Sequence, residues 1–382
     1  MKIKVGFFAS SFVFRYASGT GKHFSLVTEI LCNKYNSQVE VTIFCNNKDQ
    51  FLHLKNDLKF ANANLVLFPS VKGSWLKSSR QYFKYALCLR QNKIDILHFT
   101  VPRFYPFFWL FPARNFVCTF HAAGDITAEK DNFILSREVY NLTAKLFFRR
   151  LNAIIAVSEL GKNEISMAYG IPEKLIKVMH VGTDDIWKIN LNSTIKYSRF
   201  GKKLIVIIGR WQKFKNVQVV AKALAEAKPS ELNQYYFIFV GKKISSNSNI
   251  IAQYLANVDD KIYETIEYLN EEDYAAIISL ADLVIVPSLN EGFSHPVFDA
   301  FSFGTRLLIH APSPAAEILS NRNGVLAADL SNSYNILNLI YEAIQMPENH
   351  FEDNRVFLKS IEATWEDLTK NYFKLYSDLS DI

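Results

Sequence analysis

The chain has 382 residues and a net charge of +6, from 43 Lys and Arg against 37 Asp and Glu, and 49% of its residues are hydrophobic. This length predicts two domains of roughly 150 to 200 residues each, and the hydrophobic fraction excludes a disordered or fibrous chain. The small excess of positive charge favours an anionic substrate or membrane surface, and by itself it gives no argument for a nucleic-acid partner.

The cysteines and the terminal sequence bear on the compartment of the protein. Cys32, Cys45, Cys88 and Cys118 are scattered without a CxxC pair, which argues against a disulfide framework or a zinc site. The amino terminus runs straight into a strand-like pattern without a secretory signal, and no apolar run approaches the ~18 residues that span a bilayer. We therefore expect a cytoplasmic protein, with peripheral binding at the inner face of the cytoplasmic membrane as a second expectation.

In the first half of the chain, short apolar runs rich in Val, Ile and Phe alternate with longer segments of helical period. This alternation is typical of a parallel sheet with crossover helices. The predicted strands are Lys4 to Ala9, Val39 to Phe44, Leu65 to Phe68, Ile94 to Phe99, Phe116 to Phe120 and Ala153 to Val157.

A second series of strands with the same pattern follows the polar stretch Gly182 to Gly201, which is the predicted linker. We therefore predict an α/β protein with two doubly wound domains, residues 1–185 and 202–350. A helical segment, residues 351–382, is expected to pack back toward the first domain. The strands of the second series are Leu204 to Ile208, Tyr236 to Val240, Lys261 to Thr265, Leu283 to Val286 and Leu307 to Ile309.

Two loops of the first half carry candidate site residues. Gly19 and Gly21 follow the first predicted strand and open a helix, so they indicate either a phosphate cradle or a plain capping loop. His121 ends a later strand, where a lone histidine is more often structural than functional.

Basic and capping residues mark two loops of the second half. Arg210 and Lys215 follow the strand Leu204 to Ile208 and can converge on one anion. Such a pair can hold a diphosphate leaving group while negative charge develops on it. Further along, Leu269 precedes Asn270, whose side chain is predicted to cap a helix.

The strongest motif is the segment Pro287 to Ala300, which combines a strand end, a glycine turn and a helix start. Glu291 lies in the turn, and Asp299 is predicted about two turns into the helix. Carboxylates accept paired hydrogen bonds from vicinal hydroxyls, and helix amino termini beyond parallel strands attract phosphates. The motif therefore favours a ligand that carries both sugar hydroxyls and phosphate.

In order and spacing these motifs resemble those of glycosyltransferase family 4. The segment Pro287 to Ala300 resembles the family signature of two glutamates separated by seven residues, and Gly209 to Asn216 resembles its Gly-Arg and Lys-Asn motif. The resemblance covers most of the chain and is strongest after Leu204. It implies a GT-B fold, in which two Rossmann-like domains face a central cleft.

The resemblance also implies roles for single residues. His121 beside the transferred sugar and Glu291 are the expected catalytic residues. Two positions depart from the family pattern: Asp299 replaces the second glutamate, and Ser294 with His295 replaces a common pair of glycine and an apolar residue. The expected donor-binding residues are Gly19, Gly21, Arg210, Lys215, Leu269, Glu291, Gly292, Phe293, Ser294 and Asp299.

A retaining transfer of a hexose from a nucleotide sugar is the reaction that the resemblance implies. No metal and no cofactor are expected, because Arg210 and Lys215 can balance the charge of the leaving group. GDP-mannose is the first expected donor, followed by UDP-hexoses. The expected acceptor is a glycan or a polyprenyl-diphosphate-linked sugar, in the synthesis of lipopolysaccharide, O-antigen or another surface polysaccharide, and no nucleic-acid partner is expected.

The segment Arg103 to Pro112 is unusually aromatic and has basic residues around it. It predicts either a wedge in the interface of an anionic membrane or a buried helix packed on the first sheet. The basic neighbours are Lys77, Arg80, Lys84, Arg90, Arg114, Arg149 and Arg150.

Two other functions share parts of this pattern. A sugar-nucleotide epimerase has the same architecture, but it needs an acid and a base that flank the sugar, and no such pair stands out. A non-catalytic sugar-binding protein with two lobes is disfavoured by the diphosphate motif. Nucleotide release on mixing the protein with donors and acceptors distinguishes the three functions.

Overall fold

The computed structural model describes residues 2–9, 19–45, 48–67, 84, 86–100, 111–121, 146–183, 186–189, 201–243, 245–347 and 350–381. The chain divides into two compact units. Unit 1 comprises Met1–Gly182 together with Glu362–Ile382, and unit 2 comprises Thr183–Ile361.

The strands within the described residues form two sheets, one in each unit. In chain order they are β1 (Ile3–Ala9), β2 (Val39–Cys45), β3 (Asn64–Leu67), β4 (Ile96–Phe99), β5 (Asn115–Phe120), β6 (Ala153–Ala156), β7 (Ile176–Val178), β8 (Lys203–Ile208), β9 (Tyr235–Val240), β10 (Tyr263–Ile266), β11 (Leu283–Val286), β12 (Leu307–His310) and β13 (Val325–Ala328).

Helices connect these strands, with short helical runs also at residues 86–92 and 146–150. The longer or better defined helices are α1 (Gly19–Lys34), α2 (Lys48–Asn56), α3 (Glu159–Tyr169), α4 (Val217–Glu226), α5 (Pro229–Leu232), α6 (Ser245–Leu255), α7 (Glu271–Leu280), α8 (His295–Ser302), α9 (Pro314–Leu319), α10 (Ile336–Gln345), α11 (Phe351–Ser360) and α12 (Trp365–Ser380).

Both sheets are parallel and doubly wound. The sheet of unit 1 has the order β3-β2-β1-β4-β5-β6-β7, and that of unit 2 has the order β10-β9-β8-β11-β12-β13. Strands such as β4 and β11 are buried along their whole length, as the continuous apolar runs predict for sheets covered by helices on both faces. The predicted α/β fold class is therefore confirmed.

The strand order places the site loops of unit 2. The sequence order of the strands reverses between β8 and β11, which are direct neighbours in the sheet. In doubly wound sheets, ligands bind beyond the carboxyl ends of the two strands at this switch point. The loops after β8 and β11 are those that carry Lys215 and Glu291.

The segment predicted as a single C-terminal helical element consists of two helices in different units. Helix α11 packs on α8 in unit 2, whereas α12 packs on α1 in unit 1. Between them Glu362 has a positive φ of 51°, and Thr364 caps α12 by accepting a hydrogen bond from the Asp367 N–H at 3.1 Å. The helical period of the apolar residues therefore continues across an interruption between two helices, which the apolar spacing alone did not reveal.

Two short strands, β7 and β13, were not predicted. Each lies at one edge of its sheet. The three-residue β7 is interrupted by the exposed Lys177, whereas β13 is a four-residue apolar run that is buried only at its first residue. The predicted strand Lys261 to Thr265 starts too early, because a short 3-10 turn at Asp260–Ile262 precedes β10. The remaining predicted strands agree with the structure to within two residues at each end.

Candidate functional site

Hydrogen bonds to one carbonyl fasten the loop after β8 to the loop after β11. The backbone N–H of Leu289 donates to the carbonyl oxygen of Phe214 at 2.9 Å, and the Ser288 hydroxyl donates to the same oxygen at 3.4 Å. Since the two strands are neighbours in the sheet, these bonds hold the residue after Phe214 beside the turn that follows Leu289. The sequence separates these loops by about seventy residues, and the fold brings them together.

Lys215 and Glu291 form an ion pair at this junction. The Lys215 Nζ atom donates a short hydrogen bond to Glu291 Oε1, and each side chain is only 16% exposed. A partly buried pair of this kind is screened by solvent less than a surface pair. It presents a carboxylate that accepts hydrogen bonds from sugar hydroxyls next to an ammonium group that donates to phosphate.

The backbone conformation and the side-chain hydrogen bond of Asn216 explain why an asparagine follows Lys215 in the loop after β8. Its φ of 53° lies in the left-handed region, which asparagine tolerates better than most residues. Its side-chain amide donates to the carbonyl oxygen of Leu330 at 2.7 Å, and the residue is 4% exposed. Asn216 therefore fixes the turn between β8 and α4 that presents Lys215.

Two glycines allow close packing around the loop after β8, Gly241 from the loop after β9 and Gly209 against helix α4. A Cβ atom at Gly241 would overlap the carbonyl oxygen of Gly209, and a Cβ atom at Gly209 would lie 2.9 Å from Cγ2 of Val217. Arg210 follows in this loop and is exposed. Across the described part of the chain, no contact joins its guanidinium to Lys215, so the predicted convergence of the two cations stays a prediction.

Asp299 lies on helix α8 and is held by a tyrosine. The helix begins at His295, so Asp299 is little more than one turn into it, and the expected two turns were wrong because the glycine turn runs on to Ser294. Asp299 is 5% exposed, and the Tyr274 hydroxyl donates to its Oδ2 atom at 3.1 Å. Burial, and then the charge of Asp299, raise the pKa of Tyr274 well above 10, which keeps this hydroxyl a donor.

Helix α7, which carries Tyr274, starts with the predicted cap. The Asn270 side-chain oxygen accepts a hydrogen bond from the backbone N–H of Asp273 at 2.7 Å, and its amide donates to the Asp273 carboxylate at 2.8 Å. The first of these bonds satisfies a backbone N–H group that has no hydrogen-bond partner within the first turn of the helix. Leu269, the predicted donor-binding residue, is half-buried immediately before the cap.

The glycine turn before α8 contains the other predicted donor-binding residues. Gly292 is half-buried, and Phe293 is 5% exposed, with its ring stacked on Phe298 at 4.1 Å between centroids. Ser294 occupies the N-cap position in a left-handed conformation, with no capping hydrogen bond from its side chain. In the part of the chain that the structure describes, no three His, Cys, Asp or Glu side chains group closely enough to hold a metal ion.

In unit 1, the predicted site residues lie at the start of helix α1 and just after strand β5. Gly19 is the exposed first residue of α1, and Gly21 is buried in its first turn. His121 follows β5, and within the described residues its buried Nε2 atom has no hydrogen-bond partner. Burial lowers the pKa of His121 to about 4, against the effect of a backbone hydrogen bond with Thr100, so the ring is neutral near pH 7.

A buried polar network next to His121 was not predicted from the sequence. The Tyr372 hydroxyl of α12 is hydrogen-bonded to His23 Nε2 and to Thr119 Oγ1, both at 3.1 Å. His98 bridges the Thr119 hydroxyl at 2.9 Å and the Tyr376 hydroxyl at 2.6 Å. The His23 ring in turn lies edge-on to the His121 ring, with centroids 5.0 Å apart.

Part of this network had a signal in the sequence. His98 interrupts an otherwise apolar strand, which indicates a buried polar group that needs partners. Tyr274 lies outside this network, in unit 2, four residues after the predicted Asn270 cap, and tertiary packing determines the partner of its hydroxyl. The pairing of His23 with Tyr372 joins opposite ends of the chain and had no local signal.

The aromatic segment Arg103 to Pro112 lies outside the described residues except for its last two positions. Phe111 is 1% exposed and belongs to the core of unit 1, so this residue does not take part in a membrane wedge, and the choice between wedge and buried helix stays a prediction for the rest of the segment. Arg114, Arg149 and Arg150 are exposed. None of the described helices is both long and apolar enough to cross a membrane.

Comparisons with known proteins match both units. The family model described as "Glycosyltransferase Family 4" matches residues 26–186, and the model described as "Glycosyl transferases group 1" matches residues 192–354. The uncharacterized glycosyltransferase MJ1607 of Methanocaldococcus jannaschii is 23% identical over 190 residues. That match covers 45% of this chain and 46% of the relative, so the chain spans a little under half of the relative's length.

Solved structures resemble the chain over nearly its whole length. A glycosyltransferase from Rickettsia africae has a TM-score of 0.73 at 14% identity, covering 99% of this chain and 98% of its own. Anabaena HepE in complex with UDP and glucose has 0.70 at 15% identity, covering 98% and 100%. The lipopolysaccharide outer core galactosyltransferase WaaB has 0.70 at 15% identity, covering 100% of both chains. With both units matched by family models and a GT-B fold throughout, the chain belongs to the GT4-type glycosyltransferases.

Proposed function

We propose that the protein is a retaining hexosyltransferase that uses a nucleotide sugar and needs no metal ion. The observation that carries this proposal is the partly buried pair of Lys215 and Glu291 at the switch point of the second sheet. Asp299, eight residues after Glu291, occupies the position of the second glutamate of the family signature and accepts a hydrogen bond from Tyr274. Together these groups supply acceptors for hydroxyls and a cation for phosphate.

In the proposed reaction, the bond between the anomeric carbon and the diphosphate oxygen breaks, and the acceptor oxygen bonds to the same face of that carbon. The departing phosphate oxygen takes the proton of the acceptor hydroxyl. Lys215 and Arg210 stabilise the charge that develops on the diphosphate, which needs no proton transfer from the protein. Glu291 orients the sugar, and His121, neutral near pH 7, donates to a sugar hydroxyl or stabilises the cationic transition state.

The donor and the acceptor are proposed by chemical class. GDP-mannose is the first donor expected from the family resemblance, whereas HepE binds UDP with glucose and WaaB is a galactosyltransferase, which favours UDP-hexoses. Both classes therefore belong in the donor panel. The proposed acceptor is a glycan or a polyprenyl-diphosphate-linked sugar at the inner face of the cytoplasmic membrane, in bacterial surface polysaccharide synthesis.

The test is nucleoside diphosphate release from GDP-mannose, UDP-glucose and UDP-galactose, each with and without candidate acceptors. A transferase releases the nucleotide and depends on the acceptor, whereas an epimerase changes the sugar without any acceptor. A binding protein does neither. Glu226→Ala, which alters an exposed ion pair on α4, serves as the matched control for Glu291→Ala.

A further inference from the structure

Ser294 has a strained backbone at the start of helix α8. Its φ of 71° and ψ of 68° place it in the left-handed region, which residues with a Cβ atom rarely adopt. The family signature commonly has glycine at this position, which would adopt the conformation without strain. A side chain kept in a strained conformation at a candidate site indicates that the side chain has a use.

Two other serines of the chain show what a helix-capping serine normally does. Ser158 and Ser313 have extended backbones, with φ of −158° and −153°, and precede α3 and α9. Their hydroxyl oxygens accept hydrogen bonds from the backbone N–H groups of Gly161 at 3.0 Å and Ala316 at 3.2 Å. Ser294 makes no such bond, so capping does not account for its side chain.

The hydroxyl of Ser294 is also desolvated. The residue is 7% exposed, and in the part of the chain that the structure describes its Oγ atom is buried without a hydrogen-bond partner. A buried hydroxyl without a partner loses its bonds to water and gains nothing in return, which destabilises the folded protein. A ligand that bonds to this hydroxyl would remove the penalty.

We propose that the Ser294 hydroxyl donates a hydrogen bond to a charged oxygen of the donor's diphosphate, an inference that rests on the function proposed above. Ser294 follows Glu291 in the same turn, and Glu291 is paired with the Lys215 ammonium group. The amino terminus of α8 adds a partial positive charge, which favours an anion at this place.

The chemistry of the hydroxyl fits an anionic oxygen better than a neutral one. Its hydrogen rotates freely about the Cβ–Oγ bond and can therefore point at whichever phosphate oxygen lies closest. A hydrogen bond to a charged oxygen is roughly twice as strong as one between neutral groups. Such a bond compensates both the strain of the backbone and the burial of the hydroxyl, whereas a glycine would offer the backbone alone.

The experiment compares Ser294→Ala with the wild-type protein by calorimetric titration of UDP, GDP, uridine and guanosine. We expect Ser294→Ala to weaken binding of the nucleoside diphosphate roughly ten-fold or more, with nucleoside binding unchanged. Equal affinity of the variant and the wild type for the diphosphate would overturn the proposal, and so would an equal loss for nucleoside and diphosphate. A wild-type protein that binds neither UDP nor GDP would instead contradict the proposed function.

A second variant, Ser294→Gly, separates the hydroxyl from the strain. It should lose the same affinity as Ser294→Ala and melt about 2 to 4 °C above it, because glycine relieves the left-handed backbone. Wild-type affinity in Ser294→Gly, or a Tm no higher than that of Ser294→Ala, would overturn the proposal.

The matched control for both variants is Ser302→Ala. This buried serine lies at the other end of α8, and its hydroxyl already donates to the carbonyl oxygen of Asp299 at 2.7 Å. The same chemical change there should lower the Tm and leave diphosphate binding intact. A loss of diphosphate affinity in Ser302→Ala as large as that in Ser294→Ala would assign the effect to α8 as a whole and contradict the role of Ser294.

Discussion

Tyr274 donates its hydroxyl hydrogen to Oδ2 of Asp299 at 3.1 Å and thereby links helix α7 to helix α8. Asp299 stands where the family signature has a glutamate, whose side chain is longer. The tyrosine hydroxyl orients this shorter carboxylate within unit 2. The proposed donor contact of Asp299 therefore depends on a residue outside the signature itself.

We expect Tyr274→Phe to raise the donor KM about 3- to 10-fold with little change in kcat, because it removes one hydrogen bond from a carboxylate that binds substrate and transition state alike. Steady-state kinetics with the active donor measures this. Tyr341→Phe, on the exposed face of α10, is the control. A fall in kcat at constant KM would show that the pair acts on the chemical step instead.

Asp299→Ala completes a double-mutant cycle with Tyr274→Phe. Asp299→Ala should raise the donor KM more than Tyr274→Phe does, and adding the second substitution should then change little, since the tyrosine has lost its partner. Additive effects of the two substitutions would mean that Tyr274 and Asp299 contribute independently, which the hydrogen bond does not allow.

The buried histidines of unit 1 predict acid sensitivity. Burial, and then the nearby His121, lower the pKa of His98 to about 3, and burial lowers that of His121 to about 4, both from 6.5. As the pH falls below 6.5, the unfolded chain binds protons on both rings, whereas the folded protein does not until each lowered pKa is reached. The free energy of unfolding should therefore fall over this range by up to about 1.4 kcal/mol per pH unit for each histidine.

Urea unfolding at a series of pH values between about pH 5 and pH 6.5 measures this slope. His98→Gln should make it shallower by the share of one histidine. Parallel slopes for the wild type and His98→Gln would show that His98 titrates normally in the folded protein.

The exposed arginines of unit 1 test the proposed membrane contact. Arg114, Arg149 and Arg150 are exposed, and each cation close to an anionic surface contributes about 1 kcal/mol to binding. We expect weak, salt-sensitive sedimentation with anionic vesicles, reduced when Phe107, Phe108 and Trp109 are replaced by Ser in a folded variant. Sedimentation that survives this replacement, or none at low salt, contradicts the membrane contact.

Glu291 should be indispensable for turnover and not for folding. Glu291→Ala removes an oriented carboxylate from the site, so we expect turnover to fall at least ~100-fold with an unchanged circular dichroism spectrum. Glu226→Ala, at an exposed ion pair of α4, should retain wild-type turnover. Near-wild-type activity of Glu291→Ala would show that the ion pair of Glu291 with Lys215 has no role in the reaction.

The sequence predicted those features that depend on neighbouring residues. The strands β8 and β11, the Asn270 cap and the turn at Glu291 follow from local apolar runs and turn residues. The contact between Tyr274 and Asp299 and the network around Tyr372 arise where separate elements pack, and no local pattern encodes them. The conformation of Ser294 could not be predicted for another reason. A serine before a helix predicts an N-cap with an extended backbone, whereas the backbone of Ser294 is left-handed.

The most direct measurement is calorimetric titration of nucleoside and nucleoside diphosphate into Lys215→Ala and Arg210→Ala. Each substitution removes a charge-assisted hydrogen bond worth about 1.5 to 3 kcal/mol, so diphosphate binding should weaken roughly 10- to 150-fold, with kcat reduced as well. Lys222→Ala, on the exposed face of α4, is the control. The account predicts that both variants lose the advantage of the diphosphate while nucleoside binding stays constant. Equal losses for both ligands would show that Arg210 and Lys215 support the fold or the base pocket, and would contradict a diphosphate site at this junction.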